Sequence, residues 1–281
     1  MSERTPPASI RTIQTLIETK AKKHGERTYL RYKDRQLSYE ALHRKTNIIA
    51  NQLMTRGVEP GDHVCLFLYN SIEYLLSYFA LAKLGATVVP IDTRFTGETL
   101  SYVISETEAE TVFIDEKTRA DYEEIRDDLT IITTEYFVST NEDESPYRPF
   151  DALLDGKPEA PGVEIAEDDT LAIIFVQPYP SDKPKGVMLP HYAYIHGGWV
   201  MSQNHFDYSP EDTIFTTLPL HGILPIQLGA MATLVAGAEF VIEDPFDPDL
   251  FWNQVDSYQA TIFLYLGRTL SVLYNEADNS E

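Results

Sequence analysis

Strand-like and helix-like segments alternate along most of this chain, and that alternation limits its fold more than any other feature. Residues 64–68, 87–90, 111–114 and 130–133 have the apolar, β-branched character of strands. Between them, 71–84, 98–106 and 117–129 have helical spacing, and Gly85 stands where the first of these should stop. Strands separated by helices of this length can only run parallel, joined by crossovers. Upstream, Ile13, Leu16, Ile17 and Ala21 mark a helix over 12–23. Two short extended runs, 28–32 and 36–38, flank Lys33-Asp34 as a hairpin would. Ser38 is placed to cap a long helix that buries Ala41, Leu42, Ile49 and Leu53 and ends near Gly57.

Composition changes at 139–169, where acids and prolines replace β-branched residues. This reads as an acidic linker or surface loop between a first lobe, 1–138, and a second, 170–281. The second lobe opens on a nearly continuous apolar strand, 170–176, suited to the middle of a parallel sheet. Helices at 192–203, 226–235, 249–258 and 269–275 then alternate with strands at 213–217, 239–242 and 260–265. The fold class expected is α/β: parallel sheets flanked by helices in two lobes.

Acids outnumber bases 44 to 22, for a net charge of -22. Like charges repel, so neither nucleic acid nor an anionic membrane is expected as a partner. The acidity reads as a solvated surface, of which adaptation to high salt is one version. The single cysteine, Cys65, permits no disulfide within the chain and no cysteine-rich metal site, and its apolar surroundings make it a small core residue. Residues 1–10 are polar, without the apolar stretch of a signal peptide, which points to the cytoplasm. Residues 213–238 carry no formal charge, but Pro219, Gly222, Pro225 and Gly229 interrupt them. A buried strand, turn and helix fits that segment better than a membrane span. Neither G-x-G-x-x-G nor G-x-x-x-x-G-K-[ST] is present.

Several stretches, in order, carry a family resemblance. Leu37-Ser38-Tyr39-Glu40-Ala41-Leu42 is similar to an L-[ST]-Y-x-E-L pattern. Ala80-Leu81-Ala82-Lys83-Leu84-Gly85-Ala86, followed by Val89-Pro90-Ile91-Asp92, is similar to A-x-x-K-x-G-A-x-x-V-P-[IL]-[DN]. The strand 169–175, then Pro184-Lys185-Gly186-Val187-Met188-Leu189 with His191, and finally Phe246-Asp247-Pro248 through Tyr258-Gln259-Ala260-Thr261 complete the set. In order and spacing the chain resembles the N-terminal half of the AMP-binding, adenylate-forming acyl-CoA synthetases, in particular their carnitine-CoA ligase-like branch. The resemblance implies an ATP-dependent reaction in which a carboxylate attacks the α-phosphate and the acyl-adenylate then acylates coenzyme A, with Mg²⁺ balancing phosphate charge.

The phosphate-binding loop departs from the family's Y-T-S-G-T-T-G-x-P-K-G-V. Pro184, Lys185, Gly186 and Val187 match, but Tyr179 and Asp182 replace the first two glycines. Pro178 and Pro180 offer no N–H to a phosphate, and Asp182 adds a negative charge. By resemblance, residual nucleotide contacts fall to Gln177, Ser181, Lys183, Lys185 and Gly186, and tight binding of ATP, Mg²⁺ or coenzyme A is not expected. A lysine beside proline in a loop is equally an ordinary solvated charge. Leu218-Pro219-Leu220-His221-Gly222 stands where the family reads L-P-x-F-H: without a gap His221 takes the aromatic position and Gly222 the histidine position, whereas a one-residue deletion keeps His221 in role, so the resemblance makes His221 a candidate for the acyl pocket; a core or loop histidine with local partners is the plainer alternative. No residue is assigned a catalytic or metal-binding role.

Relative to the family the second lobe is incomplete. The expectation is therefore a truncated ligase relative, a pseudoenzyme inactive alone. An acyl- or protein-binding module, or one half of a split ligase, is the alternative. Self-association or a completing second polypeptide would follow from uncovered apolar surface in 213–265.

Overall fold

The computed structural model describes residues 5–139, 145–177 and 183–278. The chain opens with α1 (Ile13–His24), capped by Thr12, and the hairpin β1 (Thr28–Tyr32) and β2 (Arg35–Ser38). Ser38 accepts from the Ala41 N–H at 3.1 Å and so caps α2 (Tyr39–Thr55). There follow β3 (His63–Phe67), α3 (Ile72–Leu84), β4 (Thr87–Pro90), α4 (Gly97–Glu106), β5 (Thr111–Asp115), α5 (Arg119–Ile125), β6 (Thr134–Val138) and a short β7 (Arg148–Pro149). The remainder comprises β8 (Thr170–Val176), β9 (Lys185–Pro190), α6 (His191–Trp199), β10 (Thr213–Thr216), α7 (Ala232–Ala236), β11 (Glu239–Ile242), α8 (Pro248–Ser257), β12 (Ile262–Leu264) and α9 (Gly267–Asp278).

Two sheets form, ordered β7-β6-β5-β3-β4-β8-β9 and β12-β10-β11-β1-β2. Alternation along the strands gives each sheet two buried faces. Val64 and Leu66 of β3, with Ile214 of β10 and Phe240 and Ile242 of β11, face one central core filled by α1, α2, α3, α6 and α7. Cys65 and Phe67 face the opposite way, into a second core under α4 and α5. Phe215 and Val241 face a third, under α8 and α9. The layers thus run helix, sheet, helix, sheet, helix. The central position of α3 explains its composition: every residue from Tyr74 to Leu84 is buried, so no polar face is needed. Gly85, at φ 81°, ends it in the left-handed conformation that a side chain would disfavour.

The structure differs from the sequence expectations in several places. The sheets do not follow the division at 139–169. The hairpin β1–β2 joins β11 in the second sheet, while β8 and β9 join β4 in the first, so each sheet draws on both sides of that segment. Residues 145–169 are also more than a loop. Phe150 and Leu153 are buried, and Asn47, Asn51, Gln52 and Arg56 of or beside α2 hold backbone carbonyls of 152–159. The strand 170–176 lies parallel to β4 but antiparallel to β9. The link from Val176 to Lys185 is too short for a crossover helix, which leaves only antiparallel return. The strand expected at 130–133 starts instead at Thr134. There the N–H groups of Thr133 and Thr134 both reach Glu110 O, and Tyr136 and Phe137 are buried on opposite faces of the sheet. The helices expected at 192–203 and 226–235 form, but parts of each, Val200–His205 and Pro225–Met231, are wound as π-helix.

Candidate binding cleft between the sheets

The C-terminal ends of β3, β4, β10, β11 and β12 converge on a cleft of about 570 Å³. Crevices outside the carboxyl ends of parallel strands are where open α/β folds hold ligands. Leu68, Pro219, Ile223, Leu224 and Leu266 form apolar wall, and Arg94 and His221 are basic side chains at it.

Asn70, just after β3, fixes this geometry. Its Oδ1 accepts from the Leu220 N–H at 2.9 Å, and its Nδ2 donates to Leu218 O at 3.0 Å and Glu243 O at 2.9 Å. One buried amide thus ties the first sheet to the turns after β10 and β11, and sets the backbone that carries His221. His221 Nε2 lies 3.4 Å from Asp92 Oδ1 and has no hydrogen-bond partner among the described residues. Burial lowers the His221 pKa, outweighing the pull of Asp92, and Arg94 lowers it further, so the imidazole is neutral near pH 7. Burial works against ionisation of Asp92, but hydrogen bonds from Arg94 and the nearby His221 prevail and its pKa is lowered. Arg94 returns to Asp92 through Nη2 at 2.6 Å, Nε at 3.0 Å and its backbone N–H at 2.9 Å, while its side chain remains exposed at the cleft. The arrangement offers an apolar slot, a neutral imidazole able to give or take one hydrogen bond, and a guanidinium able to meet an anion.

The candidate nucleotide residues sit elsewhere. Gln177 follows β8 and is exposed. Lys183 Nζ lies 4.4 Å above the ring of Tyr102 on α4. Lys185 and Gly186 open β9, opposite Val176 and Phe175. A Cβ on Gly186 would meet Ile173 Cγ2 at 2.8 Å, so this glycine is spent on packing against β8 and not on the approach of a ligand. None of these four lines the cleft that holds His221. Ser181, like Pro178, Tyr179, Pro180 and Asp182, lies outside the described residues. Among the described residues of the loop, Lys183 is engaged with Tyr102 and Gly186 with β8. Among the described residues no group of three His, Cys, Asp or Glu side chains is placed to hold a metal ion. No described helix is long and apolar enough to cross a membrane; 213–238 is β10, the cleft turn and the helix ending in α7.

Compared with known families, residues 17–281 match one described as AMP-binding enzyme. The chain belongs to this family. It is 29% identical over 261 residues to a crotonobetaine/carnitine–CoA ligase of Citrobacter koseri, covering 89% of this chain and 50% of that protein. To the ligase of the same name from Proteus mirabilis it is 30% identical over 236 residues, covering 82% and 45%. The chain thus spans about half the length of the curated relatives it matches. Among solved structures it resembles a long-chain-fatty-acid–CoA ligase from Archaeoglobus fulgidus, with TM-score 0.85 and 22% identity over 96% of this chain and 54% of that one. It also resembles the N-terminal domain of FACL13 from Mycobacterium tuberculosis, with TM-score 0.82 and 21% identity over 94% and 65%. The layered α/β fold is therefore that of the N-terminal domain in acyl-CoA ligases.

Sequence reasoning singled out His221 but missed Asn70, Asp92 and Arg94 as its neighbours. Asp92 closes the Val89-Pro90-Ile91-Asp92 stretch, and its spacing to Arg94 was the available signal: a carboxylate two residues before an arginine, just past a strand end.

Proposed function

We propose that this chain supplies the acyl-binding part of an AMP-forming acid–CoA ligase framework, and that as a 281-residue polypeptide it holds a carboxylic acid without adenylating it. The observation that carries this reading is the cleft of about 570 Å³, apolar on its walls, with Arg94 and His221 available to a carboxylate. ATP, Mg²⁺ and coenzyme A belong to the family's reaction. The loop that would meet the phosphates has Pro178 and Pro180 without N–H donors and Asp182 with the wrong charge, so no step is assigned through them. Calorimetric titration with straight-chain carboxylic acids of increasing length tests the reading. Affinity should rise with chain length until the cleft is full, and Ile223→Trp should abolish it; equal affinity in that variant, or no binding at any length, would contradict it.

A second reading has its own observation. Leu250, Trp252, Tyr265, Leu266, Leu270 and Tyr274 are exposed on and around α8, β12 and α9, beside the edge of the second sheet. Such a surface suits a protein partner, including a second polypeptide that completes a split ligase, or self-association. Light scattering against protein concentration separates these from the monomer.

A further inference from the structure

The curated relatives named above are crotonobetaine/carnitine–CoA ligases, and both of those acids carry a trimethylammonium group. A site for such a cation presents carboxylates to it, or the faces of aromatic rings. The cleft beside His221 is built otherwise. The carboxylates at the same strand ends are already engaged. Asp92 holds Arg94 and faces His221. Asp115 accepts from the backbone N–H of Tyr69 at 2.6 Å, of Lys117 at 2.9 Å and of Thr118 at 2.9 Å. Asp244 bridges Lys33 Nζ at 2.7 Å and Lys117 Nζ at 2.8 Å, and Glu243 accepts from the Tyr258 hydroxyl. None of these carboxylates lines the cleft. Tyr69 is the one Phe, Tyr or Trp among its described lining residues, and Lys117 Nζ already lies 5.0 Å from the centre of that ring.

What the cleft does present is positive charge at one place and apolar wall at the rest. Arg94 turns Nε and Nη2 to Asp92 while its side chain is 84% exposed, so its outer edge can meet an anion. With a carboxylate there, the remainder of the acid lies along Leu68, Leu218, Pro219, Ile223 and Leu224. A tert-butyl group gains from burial on that wall. A trimethylammonium group of the same shape would give up its water to apolar side chains, with no anion to replace it and with Arg94 and Lys117 repelling it.

We infer that the acid held in this cleft has an uncharged, apolar tail, and that the cleft discriminates against a quaternary ammonium of equal shape. The inference rests on the acyl-binding reading above and names the class of acid. The chain thus parts in substrate class from the relatives it matches.

Calorimetric titration of the 281-residue chain with a shape-matched pair tests this. The pair is 5,5-dimethylhexanoate and 4-(trimethylammonio)butanoate, which differ only in carbon against nitrogen at the centre of the tail. At about 0.15 M salt screening acts over about 8 Å, so the net charge of -22 does not set the ranking. The dimethylhexanoate should bind at least about tenfold tighter. Ile223→Glu, at a position already 37% exposed, puts an anion on the wall and should shrink that ratio about threefold or more. Equal affinities in the wild-type chain, or tighter binding of the trimethylammonium acid, would overturn the inference and leave the cleft an acid site. A ratio unchanged in Ile223→Glu, with both acids still bound, would overturn it as well, because the tail then lies elsewhere. Binding of neither acid to the wild-type chain would sink the acyl-binding reading itself, and the inference with it.

Discussion

His221 Nε2 and Asp92 Oδ1, from the turn after β10 and the end of β4, lie 3.4 Å apart across the junction of the two sheets. Arg94 holds the same carboxylate from the other side. The imidazole therefore faces the cleft neutral, and the guanidinium is fixed at its edge.

The titration of His221 follows from this contact. Its pKa is lowered by burial and by Arg94, and raised by Asp92. An NMR titration of the imidazole should give a midpoint below the ordinary value near 6.5. Asp92→Asn removes the raising influence and should move the midpoint lower still. A midpoint that rises in this variant would mean that Asp92 does not act on His221.

Asn70→Ala should be costly for its size. It removes one acceptor and two donated bonds that join β3 to the turns after β10 and β11, leaving the Leu220 N–H and two carbonyls unpaired. A loss of about 2–4 kcal/mol is expected in urea unfolding, together with weaker acid binding. Stability within about 0.5 kcal/mol of wild type would show that these turns are held by something else.

Acid should destabilise the fold before the carboxylates titrate. Burial lowers the pKa of His191 to about 4, and burial together with Lys83 lowers that of His43 to about 4. The folded chain keeps both neutral, while the unfolded chain takes up protons below about 6.5. Stability is therefore complete above pH 6.5 and is lost as pH falls from there to about 4. The fully buried His191 alone accounts for about 3 kcal/mol, and His191→Gln should remove that part of the slope. A melting temperature constant between pH 7 and 4.5 would be inconsistent with a buried His191 and a half-buried His43 that both stay neutral.

How far the sequence reached depended on whether the signal was local. Ser38, Gly85 and the apolar run 170–176 announce a cap, a stop and a strand by their own chemistry, and each is where expected. β9 was hidden because it lacks a buried face: Val187 is 44% and Met188 69% exposed, so no alternation marks it. The pairing of β1 with β11, and of β8 with β4, joins segments far apart in the chain, and no local pattern records it. The same distance separated His221 from Asp92 and Asn70. Their chemistry was visible in the sequence, but their meeting was not.

The net charge of -22 should make stability depend on salt. Screening reaches only about 3 Å at 1 M, so repulsion among carboxylates relaxes as KCl rises. The melting temperature should climb with KCl into the molar range. A flat response would remove high-salt adaptation as the reason for the acidity.

Carboxylate-dependent ATP–pyrophosphate exchange, run on the chain with the acid that binds it best, is the most direct measurement of whether an acid is held without being adenylated. Exchange should stay at background with Mg²⁺ and millimolar ATP, because Pro178, Pro180 and Asp182 occupy the stretch that should bind phosphates. Exchange that rises with the acid and falls in Lys185→Ala would contradict this, and would restore to the altered loop the adenylating role it is denied here.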